Sequence, residues 1–407
     1  MPAAPVNEPS GVAPVVLVTD GEQRSALAAV RSLGRSGYRV HVCSSRTRSI
    51  AGSSRYCQRA WTAADPLRQP NAYLHDLLRI SKETGADVLL PVTEASLLAV
   101  LPHRSLFRSA IPFPSDESFR RICDKRDVLA SARQHGIAVP EQTEVLRPDD
   151  VSGLRVDLHY PVVLKPSRSV AGDSESRVKS SVAYAETARQ LHEELAAIPA
   201  AAYPVLLQHR VEGPGFAVSV IVWEGEVRAA FAHRRIREKP PSGGVSVLRE
   251  SIALDARLLE QSVALLHDFN WNGVAMVEFK LDTKSGRPFL MEINGRLWGS
   301  LQLAIDAGVD FPTLLVQLAL GERPPVQASY DIGVQSRWEW GDVDNLLAHL
   351  LRSDRALALP SNGKGRNRLG SVASFLRAIG SRAYPEVGRR DDPGPFVRET
   401  IDWLRGR

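Results

Sequence analysis

The segment Val274 to Arg296 constrains the fold of this chain more than any other. Two alternating apolar and polar runs, Gly273 to Leu281 and Pro288 to Ile293, flank Thr283-Lys284-Ser285-Gly286, a composition suited to a tight turn. A hairpin centred near Ser285 sets Glu278 opposite Glu292. Side chains two apart share a face, so Asn294 joins them. Val277, Phe279 and Leu281 then fall on the other face with Phe289, Met291 and Ile293, which makes that face the core side. Two carboxylates confronted across antiparallel strands repel, more strongly when partly buried. A cation between them removes the repulsion, and two carboxylates with an amide oxygen are hard ligands suited to a magnesium ion that also holds nucleotide phosphates. The alternative is a solvated face neutralised by Lys280 and Lys284. The run Glu292-Ile-Asn-Gly-Arg296, with glycine and arginine at the strand mouth, favours the cation.

The N-terminal third reads differently. Val15 to Thr19 is an apolar, β-branched run followed by Asp20-Gly21 and an amphipathic stretch from Gln23 to Leu33, the pattern of strand, turn and helix. Gly34 to Gly37 stops the helix and Arg39 to Cys43 is the next strand. Residues 71 to 83 read as helix, Asp87 to Pro91 as a third buried strand, and Thr93-Glu94 opens another helix. The alternation implies a parallel sheet with helices on its faces, an α/β Rossmann-like domain over residues 15–124 behind a loose tail of residues 1–14. Its first turn lacks G-x-G-x-x-G, so a nicotinamide cofactor is not expected. Ligands of open parallel sheets bind beyond the strands' carboxyl ends. Asp20, Gly21, Thr93 and Glu94 stand there, as substrate contacts or as plain turn and cap residues.

From Pro140 the pattern changes. Tyr160 to Lys165 is a strand, Ala183 to Ala197 a helix, and Val205 to Gln208 a strand. Phe216 to Trp223 and Glu226 to His233 alternate around Glu224-Gly225, a hairpin signal, and Ala253 to Phe269 is helical. This is an α+β domain over residues 125–328, with lobes of about 125–204 and 205–328. A C-terminal extension, 329–407, carries Trp338-Glu-Trp340-Gly-Asp342, an amphipathic run Val343 to Leu351, a flexible Ser361 to Gly365 and a final helix ending in Trp403. It closes over the site or supports a homodimer.

Composition removes several functions. Of 407 residues 43% are hydrophobic and 24% charged, enough for two or three cored domains. The net charge of +5 lies mostly after Leu350, where twelve Arg and Lys meet six Asp and Glu. The body is near neutral, unlike a nucleic-acid binder with its basic stripe. Three scattered cysteines fit neither a disulfide framework nor a zinc site, and suit a reduced cytoplasm. No apolar run approaches the roughly 18–20 residues of a membrane helix.

Glu278 in Val-Glu-Phe-Lys followed by Glu292-Ile-Asn294-Gly-Arg296 resembles the metal-binding hairpin of ATP-grasp ligases, and the resemblance covers about residues 15–325, closest to carboxylate-amine ligases. It implies ATP and Mg²⁺, or Mn²⁺, held by Glu278, Glu292 and Asn294. Asp124-Lys125 and the strand end Tyr-Pro-Val-Val-Leu-Lys165-Pro match the two lysines of that family, so Lys125 would reach the α-phosphate and Lys165 the α- and β-phosphates. Leu206 to Phe216 is similar to the adenine-binding hinge. Gln208, His209 and Val211 lie along it, and Glu212 would take the ribose hydroxyls. The family's glycine-rich flap corresponds to Ser167 to Val178, which has one glycine, Gly172. Arg235 and the turn Ser242-Gly243-Gly244 lie where relatives contact substrate and phosphate, or in a basic solvated loop. Arg296 would stabilise charge as the γ-phosphoryl leaves. No G-x-x-x-x-G-K-[ST] loop is present. The implied reaction joins a small carboxylate to an amine, or to a thiol, through an acyl phosphate. A kinase releasing a phosphorylated product and a non-catalytic nucleotide-binding protein are the rivals.

Overall fold

The computed structural model describes residues 13–151, 158–173, 175–241, 243–327, 329–353, 357, 368–379 and 383–406. The segment Ser361 to Gly365, Ser242 and most of the tail expected over 1–14 lie outside them. The chain begins with β1 (Val15–Val18), α1 (Arg24–Arg35), β2 (Arg39–Ser44), β3 (Cys57–Thr62), α2 (Pro70–Thr84), β4 (Val88–Leu90) and α3 (Glu94–Val100). The four strands form one parallel sheet in the order β3-β2-β1-β4. All four residues of β1 are buried, as expected of a central parallel strand covered on both faces. The helix read as ending before Gly34 runs through Arg35. Gly34 fits inside it because Tyr56 packs where a Cβ would stand, at 2.6 Å.

Next come α4 (Asp116–Cys123), α5 (Lys125–Gln134), β5 (Gln142–Val145), β6 (Val162–Pro166), β7 (Val170–Gly172), β8 (Arg177–Lys179), β9 (Ala183–Ala185), α6 (Ala188–Ala197) and β10 (Val205–His209). A four-stranded sheet takes the order β5-β10-β6-β9, and among the described residues β7 pairs with β8 alone. One expectation fails here. Ala183 to Ala197 is not one helix, because Ala183–Ala185 pairs antiparallel with β6 and the helix starts after Thr187, whose side chain caps the amide of Gln190. A small core of Val145, Val162, Leu164, Leu191, Leu195, Val205 and Leu207 joins α6 to this sheet.

The remainder supplies β11 (Gly215–Trp223), β12 (Glu226–Lys239), β13 (Val245–Ser251), α7 (Ala256–Asp268), β14 (Gly273–Leu281), β15 (Pro288–Asn294), α8 (Leu301–Asp306), α9 (Phe311–Ala319), β16 (Gln335–Arg337), α10 (Glu339–Leu351), α11 (Arg368–Ile379), β17 (Tyr384–Pro385) and α12 (Gly394–Leu404). Seven strands pair in the order β15-β14-β11-β12-β13-β16-β17. The C-terminal stretch therefore extends this sheet, which alternation alone did not reveal. A single apolar core runs from the parallel sheet, through Leu17 and Leu27, to Val277, Phe279 and Leu290 of this one.

The register of β14 against β15 pairs Glu278 with Glu292 and Val277 with Ile293, but a β-bulge after Glu278 then sets Phe279 opposite Leu290. The assignment of Phe289 and Met291 to the core is corrected by that one-residue shift. Leu290 is 0% exposed, whereas Phe289 and Met291 are half-buried.

Candidate functional site

Four cations from four elements converge on the two carboxylates of the β14–β15 ribbon. Arg235 of β12 bonds both Glu278 and, at 3.1 Å, Glu238. Lys125, the first residue of α5, stands 3.7 Å from Glu292. Lys165 of β6 and Arg296, just past β15, act on Glu292 through their charge. Asn294 lies between the acids: its Nδ2 donates to Glu278 at 2.9 Å and to Glu292 at 3.5 Å, and its Oδ1 accepts from Arg296 at 2.8 Å. The amide therefore turns its nitrogen, not the expected oxygen, toward the carboxylates, and metal ligation by Asn294 requires the amide to rotate.

The two acids have different electrostatic fates. Burial raises the pKa of Glu278, helped by the charge of Glu292 and opposed by Arg235. Burial acts the same way on Glu292, but Lys125, Lys165, Arg296 and Arg235 together overcome it and hold the group below its ordinary value. Its side chain is 36% exposed against 12% for Glu278, so Glu292 is the more accessible member. Lys165 is pushed down to about 8, chiefly by burial, with Glu292 opposing the shift and Lys125 adding to it. Burial opposes the charge of Arg235, yet Glu278 and Glu238 hold it ionised.

Local sequence explains the placement. The carboxylate of Asp124 caps the amide of Arg126 and starts α5, which fixes Lys125 at the helix entrance. The amide of Lys125 donates to Ser167 O at 2.8 Å, and its Nζ to Ser169 Oγ at 3.1 Å. The glycine-poor segment thus brings a serine to the lysine, a contact that sequence reading missed. Gly172, its one glycine, has φ of 114° and lies so close to Ser176 O that a Cβ would stand 2.4 Å from it.

The hinge residues differ in availability. Gln208 is 1% exposed and its amide donates to Gln142 Oε1 at 2.9 Å, so its side chain is committed to the sheet. The backbone N–H of His209 donates to Glu141 O at 2.9 Å, which removes it from the donors expected for adenine. Val211 is buried and its carbonyl accepts from Lys280 at 3.5 Å. Glu212 O holds Thr283 N at 2.8 Å, while its side chain is half-buried. Gly213 has φ of 149°, and a Cβ there would lie 1.8 Å from Leu281 O. Lys280 and Glu238 were missed as site residues. Lys280 shares the face of Glu278 by strand alternation, which was a readable signal, whereas Glu238 meets Arg235 only because β12 extends to Lys239, well beyond His233.

The small-substrate candidates separate. Asp20 is 3% exposed, and its carboxylate accepts from Val92 N, Thr93 N, Thr93 Oγ1 and Ser96 Oγ at 2.7–3.2 Å. It is a structural clasp between β1 and α3, not a free contact for a ligand. Glu94 instead reaches the cations: burial raises its pKa while Lys125 and Arg296 oppose the rise, and its Oε1 is buried without a hydrogen-bond partner among the described residues. Gly243 and Gly244 lie beside Arg235, whose Nη1 donates to Gly244 O at 3.3 Å.

Residues 201–339 match the family described as ATP-grasp in the biosynthetic pathway with Ter operon. The fold aligns with the ADP complex of purK, an N5-carboxyaminoimidazole ribonucleotide synthetase, at a TM-score of 0.64 and 15% identity, over 91% of this chain and 98% of that one. The chain has an ATP-grasp fold. The ATP-grasp fold is shared with an L-amino acid ligase from Bacillus licheniformis, at a TM-score of 0.60 and 17% identity over 75% of this chain and 74% of that one. A protein of Emericella nidulans provisionally assigned as a urea carboxylase is 24% identical over 277 residues, which are 62% of this chain. The chain spans only 22% of the length of that relative.

Proposed function

We propose that this protein is an ATP- and Mg²⁺-dependent ligase that joins a small carboxylate to an amine. The observation that carries the reading is the confrontation of Glu278 and Glu292 beneath Lys125, Lys165, Arg235 and Arg296, a set able to receive the charge of a nucleotide triphosphate. Among the described residues no group of three or more His, Cys, Asp or Glu is arranged to hold a metal. A divalent ion at Glu278 and Glu292, with Asn294 turned over, would complete its shell with phosphate oxygens, and the hard oxygen donors fit magnesium. When bound, the ion neutralises phosphate charge and orients the γ-phosphoryl group.

The protein's own part is positioning and charge stabilisation. Lys125 and Lys165 hold the phosphates, with Ser169 fixing the Nζ of Lys125. The carboxylate oxygen of the first substrate forms a bond to Pγ as the bond from Pγ to the β-bridging oxygen of ATP breaks, giving an acyl phosphate and ADP. Arg296 faces the charge carried by the transferring group. The amine nitrogen of the second substrate then bonds the acyl carbon, phosphate leaves, and the nitrogen releases a proton. Val211 and Glu212 border the nucleotide's base and ribose. His209 enters only through its exposed side chain. Similarity to purK and to the L-amino acid ligase supports the reaction class and leaves the substrates open.

The test is ADP release with amino acids and small acids in combination. The reading expects ADP only when a carboxylate is present, phosphate release that also requires the amine, and loss of both with Glu292→Ala. ADP with a stable phosphorylated product indicates a kinase instead. ATP binding without turnover in any mixture removes the ligase reading.

A further inference from the structure

A cavity of about 510 Å³ lies between the β7–β8 hairpin and the helices α2, α3 and α4, a size suited to a small-molecule ligand. None of Lys125, Lys165, Glu278, Glu292, Asn294 and Arg296 lines it. Its wall carries the arginines 120, 126, 168 and 177 but only two carboxylates, Asp124 and Asp173, and its apolar side includes Leu74 and Leu98.

The arginines are under-compensated. Asp124, 2% exposed, is shared by Arg126 at 3.0 Å and Arg168 at 3.3 Å. Among the described residues Arg120 holds Asp116 through Nε alone. Arg177 has no carboxylate within ion-pair distance there: its guanidinium spans the carbonyls of Pro66, Ala95 and Leu98 at 3.2–3.4 Å. Burial and the charge of Arg120 both disfavour its ionised form, a penalty that an anion in the cavity relieves.

We infer that this cavity is a second ligand site, separate from the nucleotide site, for an organic anion whose phosphate or carboxylate meets Arg120, Arg168 and Arg177 while an apolar body covers Leu74 and Leu98. The occupant bridges the hairpin to α3. That helix begins at Glu94, whose ionised form the backbone of Val170 in β7 favours, so occupancy holds the hairpin against the parallel sheet beside Lys125. The inference concerns binding only and stands apart from the proposed reaction.

Calorimetric titration of the full chain with phenyl phosphate and with benzoate tests it. The expected result is one equivalent of either probe, retained in Lys165→Ala and weakened at least about tenfold by Arg120→Ala with Arg168→Ala. Asn71→Trp, an exposed position at the cavity wall, leaves the arginines in place and should block binding even if the double variant does not fold. Amides of residues 170–179 should exchange more slowly with the probe bound. No binding of either probe below about 10 mM, or binding lost in Lys165→Ala and kept in Asn71→Trp, overturns the inference.

Discussion

Substituting Arg31 should detach the C-terminal stretch from the parallel sheet. Arg31 and Asp392 form an ion pair at 2.8 Å in which both side chains are 1% exposed. The same guanidinium donates to the carbonyls of Glu386, Val387 and Asp392 at 2.8–3.1 Å. In Arg31→Ala, Asp392 keeps only Ser54 Oγ and Arg55 N, at 2.7 and 2.8 Å. Removing one member of a buried pair costs roughly 3–5 kcal/mol. The loss is local, because residues 384–392 also hang on β16 and on Glu339, which accepts the amides of Val387 and Gly388. In a chain of 407 residues, at about 2.1 cal/mol/K per residue, even a global loss of that size moves the midpoint by only about 4–6 °C. Hydrogen exchange is the sharper assay: protection of amides 386–392 should fall by about two to nearly four orders of magnitude. Arg31→Met with Asp392→Leu should recover most of it, since apolar replacement of a buried pair is often close to neutral. A single-variant loss below about tenfold, or a double variant no better than either single, refutes the reasoning.

Other sites give equally direct tests. Glu278→Gln and Glu292→Gln should each weaken Mn²⁺ binding in the presence of ADP by about tenfold or more, read by electron paramagnetic resonance; unchanged affinity in both removes the ribbon as the metal site. Glu399 is pushed up to about 7, first by burial and then by Glu339, while Trp338 Nε1 donates to it. A carboxyl group with a raised folded-state pKa favours the folded state below its ordinary value of 4.5 and loses that advantage as pH rises to about 7. Glu399→Gln should therefore match the parent near pH 4 and exceed it by on the order of 1–3 kcal/mol at pH 8 in denaturant unfolding; equal stability at both values contradicts it. Leu290→Ala should cost about 2–5 kcal/mol, and Met291→Ala clearly less. The reverse order would mean that the bulge after Glu278 is misplaced.

The carboxylate ribbon was legible because two features of sequence act together: alternation fixes which residues share a face, and the turn at Thr283 to Gly286 fixes which residues meet. Those two constraints suffice for Glu278 and Glu292, which lie on the register side of the bulge nearest Asn294. Beyond it they fail, because nothing in Phe289-Leu-Met-Glu292 distinguishes a regular strand from one with an inserted residue. Leu290 and Met291 are comparably apolar, and only packing against Phe279 selects the first. The buried arginines were illegible for a related reason. In the amphipathic pattern of α1, Arg24 and Arg31 read as solvent positions. They are covered by Glu386 and Asp392, more than 350 residues later in the sequence, and no local periodicity carries that information. Arg249 is hidden in the same way: it is 0% exposed and shares Glu386, 137 residues later, with Arg24. Alternation thus predicts which face a charged residue occupies, but whether that face is wet depends on a segment it cannot locate. Sequence reading was therefore strongest at the candidate site, where partners are neighbours on one hairpin, and weakest where the C-terminal stretch joins the parallel sheet to the seven-stranded one.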